Sequence, residues 1–332
     1  MAVAGIAVVV LLGMGGSYQA SVFTVALGYG VVTVGMSIQL GYSRQLAFSQ
    51  SAFMGLGGYV VAILEVKYQI DVALAFLAAI VAAAVLSLLL SSVLTRIAGL
   101  ALALVTLLIP QIVSQLATFS DYLGSFAGIS GVSPLWQADT YQQSLLGTGV
   151  IAALVLGLVT FLATRILRSG VGLHLSAVAA NEQMAEGMGV NLRQRKTEVF
   201  VFGSVLAALG GAIVASAQAI VTPDLAAEPA ELTLLVMLFV GGRRSVWGAI
   251  VGAVAIEFLS SLSATITTNL SIIEGVLLVL VLLFEPDGLA GIALRTTRAL
   301  TARLRRKSTS DDPAEPDATP TPVPVGGGEP GE

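Results

Sequence analysis

A chain of 332 residues that is 56% hydrophobic and 11% charged, with a mean hydropathy of +0.91, carries far more apolar surface than a soluble domain can bury. It contains no cysteine, which excludes disulfides and thiolate metal sites, and its one histidine, His174, cannot form a metal cluster alone. The formal net charge of −4 says little, because six of the twenty acids lie beyond Ser308.

The fold class this composition predicts is an all-α polytopic integral membrane protein. Windows of about 20 apolar residues place ten predicted spans near 2–16, 18–40, 44–64, 70–95, 97–118, 144–166, 197–219, 231–242, 247–262 and 271–284. The first has no Lys or Arg ahead of it, which favours an uncleaved span over a secretory signal. Of the sixteen basic residues, all but Lys67 fall at connections that alternation assigns to one side. That side is expected to be the cytoplasm, with both termini inside. The opposite connections hold Glu65, Asp71, Asp121, Asp139, Asp224, Glu228 and Glu231.

Polar and glycine-rich interruptions mark where a solute could pass. Residues 41–58, GYSRQLAFSQSAFMGLGG, open a span with Ser43, Gln45, Ser49, Gln50 and Ser51 before Gly55, Gly57 and Gly58. Residues 241–252, GGRRSVWGAIVG, repeat the idea in the second half. Ordinary small-residue packing fits both segments, and so does a pair of broken helices from an inverted repeat. Ionisable residues inside spans are expensive, roughly 2.5–3.5 kcal/mol near the helix centre. Glu257 lies deep enough to matter, either lining a polar path or packed as a boundary carboxyl, whereas Glu274 is close to the outer surface. The candidate translocation path is therefore Ser43, Gln45, Ser49, Gln50 and Glu257.

The loop 167–196, LRSGVGLHLSAVAANEQMAEGMGVNLRQRK, is the polar segment that breaks the run of spans. From Leu175 to Met188 the residues Leu175, Val178, Ala179, Met184 and Ala185 share much of one helical face, and Gly187 and Gly189 can end the helix. A short amphipathic helix there suits a partner's groove. The alternative is a helix lying on the bilayer. After the membrane domain, 1–290, the segment 291–307 is basic and either rests on anionic lipid or anchors the topology. The acid-, Pro- and Gly-rich tail 308–332 is predicted to be disordered.

Chemistry that is missing narrows the field. Lys67, Lys196 and Lys307 follow Val, Arg and Arg, so none belongs to a phosphate-binding loop, which needs Gly before its Lys. No HExxH, GxSxG or dinucleotide turn occurs. Catalysis, a cofactor and a nucleic-acid partner are not expected of this chain.

Several blocks in order resemble a known family. GYSRQLAFSQSAFMGLGGYV, RIAGLALALVTLLIPQIV, SGVGLHLSAVAANEQMAEGMGVN, VTPDLAAEPAELTLLVMLFVGGRRSVWGAIVGA and LLFEPDGLAGI are similar to blocks of the permeases of branched-chain amino acid ABC importers, the LivM type. The chain departs from the pattern at Ala101 and Leu102, in GISGVSPL and at Arg243-Arg244, which leaves the solute open. The resemblance implies an inner-membrane permease subunit for hydrophobic amino acids, with urea and short amides as further solutes. Its implied partners are two cytoplasmic ABC ATPase subunits, a second related permease, an extracytoplasmic solute-binding protein and membrane lipid. It also implies an ATPase-coupling loop, here Ala179, Ala180, Asn181, Glu182, Glu186, Gly187 and Gly189. An ion-coupled secondary carrier and a non-transporting membrane scaffold are the readings from other classes.

Overall fold

The structure is a computed structural model that describes residues 16–97 and 99–263. The first expected span apart from Gly16, the tenth span with Glu274, the basic segment and the acidic tail lie outside the described residues. Each of the other eight expected spans contains a helix. They form α1 (Ser17–Met36), α2 (Gln50–Ala62), α3 (Val72–Leu94), α4 (Leu100–Phe119), α5 (Tyr141–Arg168), α8 (Leu192–Gln218), α9 (Glu228–Gly241) and α10 (Val246–Ser263). The loop after α5 contributes two short helices, α6 (Gly170–Ala180) and α7 (Glu182–Gly187). Among the described residues five helices are long and apolar enough to cross a bilayer, and α2 and α9 are not among them.

Local chemistry sets the helix starts. The Asp71 carboxylate accepts from Ala73 N–H at 2.9 Å to open α3, and Asn191 Oδ1 accepts from Gln194 N–H at 3.1 Å to open α8. α1 and α2 each run on into a wider π-turn, Ser37–Tyr42 and Ile63–Lys67. The π geometry recurs at functional sites because it re-aims side chains.

α8 forms the centre of the bundle. Most of its apolar window is buried, 78%, as is that of α1 at 83%, against 28% for α3 and for α4. α3 and α4 therefore turn Leu77, Val81, Leu88, Leu104, Leu108 and Ile112 outward, as a bilayer-facing surface requires. Close approach at the centre is made by glycine. A Cβ on Gly28 of α1 would meet Gly210 O at 3.0 Å, and one on Gly35 would meet Gly203 O at 3.2 Å. As the number rises along α1 it falls along α8, so the two helices are antiparallel, as the four intervening spans α2 to α5 demand. α2 lies still closer: a Cβ on Gly57 would stand 2.0 Å from Ala208 O, and one on Gly211 would stand 1.9 Å from Met54 O.

The connections sort to two ends as alternation expects. At one end Tyr42 Oη donates to Arg244 O at 2.6 Å, and Arg193 Nη2 donates to Ser92 O at 3.3 Å. At the other, β1 (Ile129–Ser130) pairs antiparallel with β2 (Ile220–Val221), Ser133 N–H donates to Glu65 Oε1 at 2.8 Å, and Lys67 Nζ stands 3.8 Å over the Tyr122 ring. Lys67, the basic residue on the acidic side, is thus held by an aromatic face.

The second glycine segment follows the small-residue-packing alternative. Residues 241–252 do not break a helix inside the bundle; they turn α9 into α10 as a hairpin at the Arg243–Arg244 end. Gly241 and Gly252 let the two arms touch, since a Cβ on Gly252 would be 2.0 Å from Met237 O. The two arginine-bearing entrances do meet: a Cβ on Gly41 would overlap Arg243 O.

Candidate functional site

The expected span 44–64 is helical only from Gln50. Arg44 takes the left-handed backbone at φ 52, and the Ser, Gln and Arg side chains of 43–49 offer the backbone alternatives to helix. The non-helical residues 44–49 carry the chain inward, so that α2 begins deep in the bundle. Its depth follows from Gly203, where a Cβ would be 2.7 Å from Gln39 Oε1 and 3.2 Å from Gln50 Nε2. Gly203 lies about 17 Å along α8, a helix of about 40 Å. The first residue of α2 therefore sits near the middle of the longest buried helix.

A second helix starts at the same depth. Residues Pro223–Ala226 form a short 3-10 turn whose Ala226 lies against Gly55 of α2, and α9 begins two residues later at Glu228. Its 14 residues reach about 21 Å, short of the roughly 30 Å of hydrocarbon. In the first turn of α9 stands Glu231, fully buried, whose Oε2 accepts from Ser51 N–H at 2.7 Å. One carboxylate thus faces the N-terminal turns of two half-length helices. Each such end carries unpaired N–H groups and a partial positive charge of about half a unit.

Four of the five expected path residues gather around this point. Ser43, Gln45, Ser49 and Gln50 are all buried, and Gln50 Nε2 donates to Gln39 Oε1. Glu257 does not belong to the group: it lies on α10, half-buried, next to Phe258, which packs edge-on against Phe23 at 6.2 Å. Glu231 and Gln39 were not among the expected path residues. Glu231 had a readable signal, because the apolar run after it is too short to reach across a bilayer from the surface.

The cluster is polar beyond what its own bonds satisfy. Gln39 Nε2, Gln50 Oε1, Ser49 Oγ and both amide atoms of Gln45 are buried without a partner among the described residues. A buried polar group left unpaired costs about 1–3 kcal/mol, so the cluster is a costly place in the packing. It offers one carboxylate, carboxamides and hydroxyls, suited to binding and reorganisation. Among the described residues no group of three or more His, Asp or Glu side chains could hold a metal ion.

The loop departs from the single helix expected over Leu175–Met188. The chain extends at Asn181, φ −161, and restarts, because Asn181 Oδ1 accepts from Met184 N–H at 3.0 Å and caps α7. The break resets the helical phase. Leu175, Val178, Ala179 and Ala185 are buried, but Met184, expected on the same face, is 69% exposed. Gly189 ends α7 at φ 85, with Gly189 N–H donating to Glu186 O at 2.9 Å and Val190 N–H to Ala185 O at 3.0 Å. These two bonds form a Schellman closure. Ala180, Asn181, Glu182, Glu186, Gly187 and Gly189 are exposed, and Glu182 is tied to Lys196 Nζ at 2.7 Å. Leu173, Met184 and Met188 stand out as an apolar trio, each about 70% or more exposed at 72%, 69% and 74%.

The sequence is similar to those of known proteins. A stretch of 140 residues, 42% of this chain, is 24% identical to the high-affinity branched-chain amino acid transport system permease protein LivM of Escherichia coli (strain K12). The same protein of Salmonella typhimurium (strain LT2) matches to the same extent, and the chain spans about a third of the length of these curated relatives, 33%. No solved structure matches. The family model described as branched-chain amino acid transport system, permease component, covers residues 18–284, and the chain belongs to that family.

Proposed function

We propose that this protein is a permease subunit of an ABC importer, with branched-chain or other hydrophobic amino acids as its leading solute class and urea or short amides next. The family match over residues 18–284 carries the reading. The loop supports it: a capped two-piece helix presents Leu173, Met184 and Met188 outward, a surface that flexible methionines fit to a partner's groove. Two cytoplasmic ATPase subunits would grip that loop, an extracytoplasmic binding protein would deliver solute at the β1–β2 end, and a second, related permease would complete the pathway. ATP binding and hydrolysis would switch the pair between outward-open and inward-open states. The cluster of Gln39, Gln45, Gln50 and Glu231 lies where two half-helices can part, and it would reorganise as the states exchange.

The loop reading is tested by Met184→Asp with Met188→Asp. Both side chains are exposed, so the permease is expected to insert and melt as wild type while losing pull-down of the ATPases and solute-stimulated ATP hydrolysis by tenfold or more, which is about 1.4 kcal/mol of docking energy. Wild-type pull-down would remove this surface from the mechanism.

Orientation is tested in the cysteine-free background. Gln183 and Asp121 are exposed, the one in the loop after α5 and the other beside Tyr122 at the β1–β2 end. An impermeant thiol reagent outside intact cells is expected to label Asp121→Cys alone and not Gln183→Cys; labelling of Gln183→Cys would invert the topology.

A second reading, an ion-coupled carrier, now has a better candidate than Glu257, namely the fully buried Glu231. Accumulation in proteoliposomes with an imposed proton gradient, without ATP and without partner subunits, would favour it over the importer.

A further inference from the structure

Where α5 hands over to α6, the surface opens into a cleft of about 530 Å³ lined by Phe161, Thr164, Arg165, Arg168, Ser169 and Trp247. Arg165 and Arg168 lie three residues apart and so share a face of α5. Both are exposed, and the ion pairs among the described residues are Arg195–Glu198 and Lys196–Glu182, so neither arginine is neutralised by them. Among the described residues no acidic side chain lines the cleft. The two guanidinium groups therefore concentrate positive charge in one concave place.

The walls are of the opposite kind. Phe161 and Trp247 are 55% and 52% exposed, and further along α5 the exposed residues Leu154, Leu158 and Leu162 continue the apolar surface away from the arginines. A soluble anion would use the charge and leave this track unused. An amphiphile with an anionic head and hydrocarbon tails matches both parts, and Trp and Arg side chains are the residues that settle at a membrane interface. Ser169 adds the start of α6 to the cleft, since its Oγ accepts from Val171 N–H at 3.3 Å. The charged end of the cleft therefore lies at the root of the loop.

We propose that this cleft binds the phosphate headgroup of an anionic phospholipid, with Arg165 and Arg168 on the phosphate and the acyl chains along Phe161, Leu158 and Leu154. A lipid held there braces the joint between the last turn of a bilayer-crossing helix and α6. Binding itself needs only the cleft; the consequence for coupling rests on the proposed role of the loop. Bound lipid would make ATP-driven transport depend on headgroup charge.

Two tryptophans make the test direct, because Trp136→Phe leaves Trp247 as the only one in the full-length chain. The protein is placed in phosphatidylcholine nanodiscs containing a minor fraction of either phosphatidylglycerol or phosphatidylcholine brominated on its acyl chains. Both faces of a nanodisc meet the same lipid, so the result does not depend on orientation or on the importer reading. Brominated phosphatidylglycerol is expected to quench Trp247 several-fold more than brominated phosphatidylcholine. Arg165→Gln with Arg168→Gln should erase that preference while leaving quenching by phosphatidylcholine unchanged, and Arg168→Gln alone, the milder change for insertion, should reduce it. Equal quenching by the two lipids in the unsubstituted arginine background, or a preference that survives both variants, would overturn the site. Loss of the preference on adding inorganic phosphate to the buffer would reassign the cleft to a soluble anion and equally overturn the lipid assignment.

Discussion

Gly57→Val is expected to yield no monodisperse permease. A Cβ at residue 57 would sit 2.0 Å from Ala208 O and 2.6 Å from Ala208 Cα, both backbone atoms that cannot turn aside. Ordinary contact would need α2 to move more than an ångström from α8, and α8 has no slack on its other flank. There a Cβ on Gly210 would be 2.6 Å from Gly28 O, and α1 is itself deeply buried. Overpacking of a close-packed core costs about 1–3 kcal/mol and occasionally more, and a Cβ driven onto backbone atoms that cannot turn aside falls at the upper end. Set against a total stability of about 5–15 kcal/mol, a loss of that size in a helix pair at the centre leaves little folded protein. The check is fluorescence-detected size exclusion, with Gly187→Ala as control because a Cβ there meets nothing within 4 Å. A sharp wild-type peak for Gly57→Val would mean that α2 and α8 are not in backbone contact.

Glu231→Leu is expected to give the next largest effect, on both stability and transport. Leucine leaves the Ser51 N–H without its acceptor at the start of α2. A buried unpaired donor costs about 1–3 kcal/mol. Glu231→Gln keeps an acceptor oxygen of the same reach, so it should retain more of the melting temperature than leucine does. The ordering wild type, then Gln, then Leu is the expected result in thermal unfolding of the purified chain. Solute accumulation by the reconstituted importer should be lost for leucine. A leucine variant as stable as wild type would show that Glu231 does not hold the two helix starts together.

The parts of this fold that could be read along the chain are those written in composition and period. Apolar runs located the described helices to within a few residues, and the polar residues between Ser43 and Ser51 left open whether a helix is interrupted there or only packed by small residues. Asn181 shows the limit of pattern within one segment. The apolar residues of Leu175–Met188 fit one helix, yet an Asn that can cap its own successors splits it, and the change of phase turns Met184 outward while Ala185 stays buried. The glycines of 241–252 resembled those of 55–58 in sequence, but one set packs a hairpin and the other packs an interrupted helix against α8. A glycine licenses close approach without naming what approaches.

The sequence by itself determined that the chain is a helical membrane protein, which connections share an end, and which segment carries the buried polar residues. It could do so because hydrocarbon thickness, the helical repeat and the distribution of Lys and Arg are all one-dimensional quantities. Only the tertiary structure decided that Glu231, a residue that reads as part of an acidic surface connection, closes the interrupted helix from 180 positions away. Its depth depends on how the turn Pro223–Ala226 packs against Gly55, and its partner depends on where α2 restarts beside Gly203. Both are contacts between segments remote in the chain, where the dry interior makes an unpaired amide and an unpaired carboxylate each too costly unless they meet.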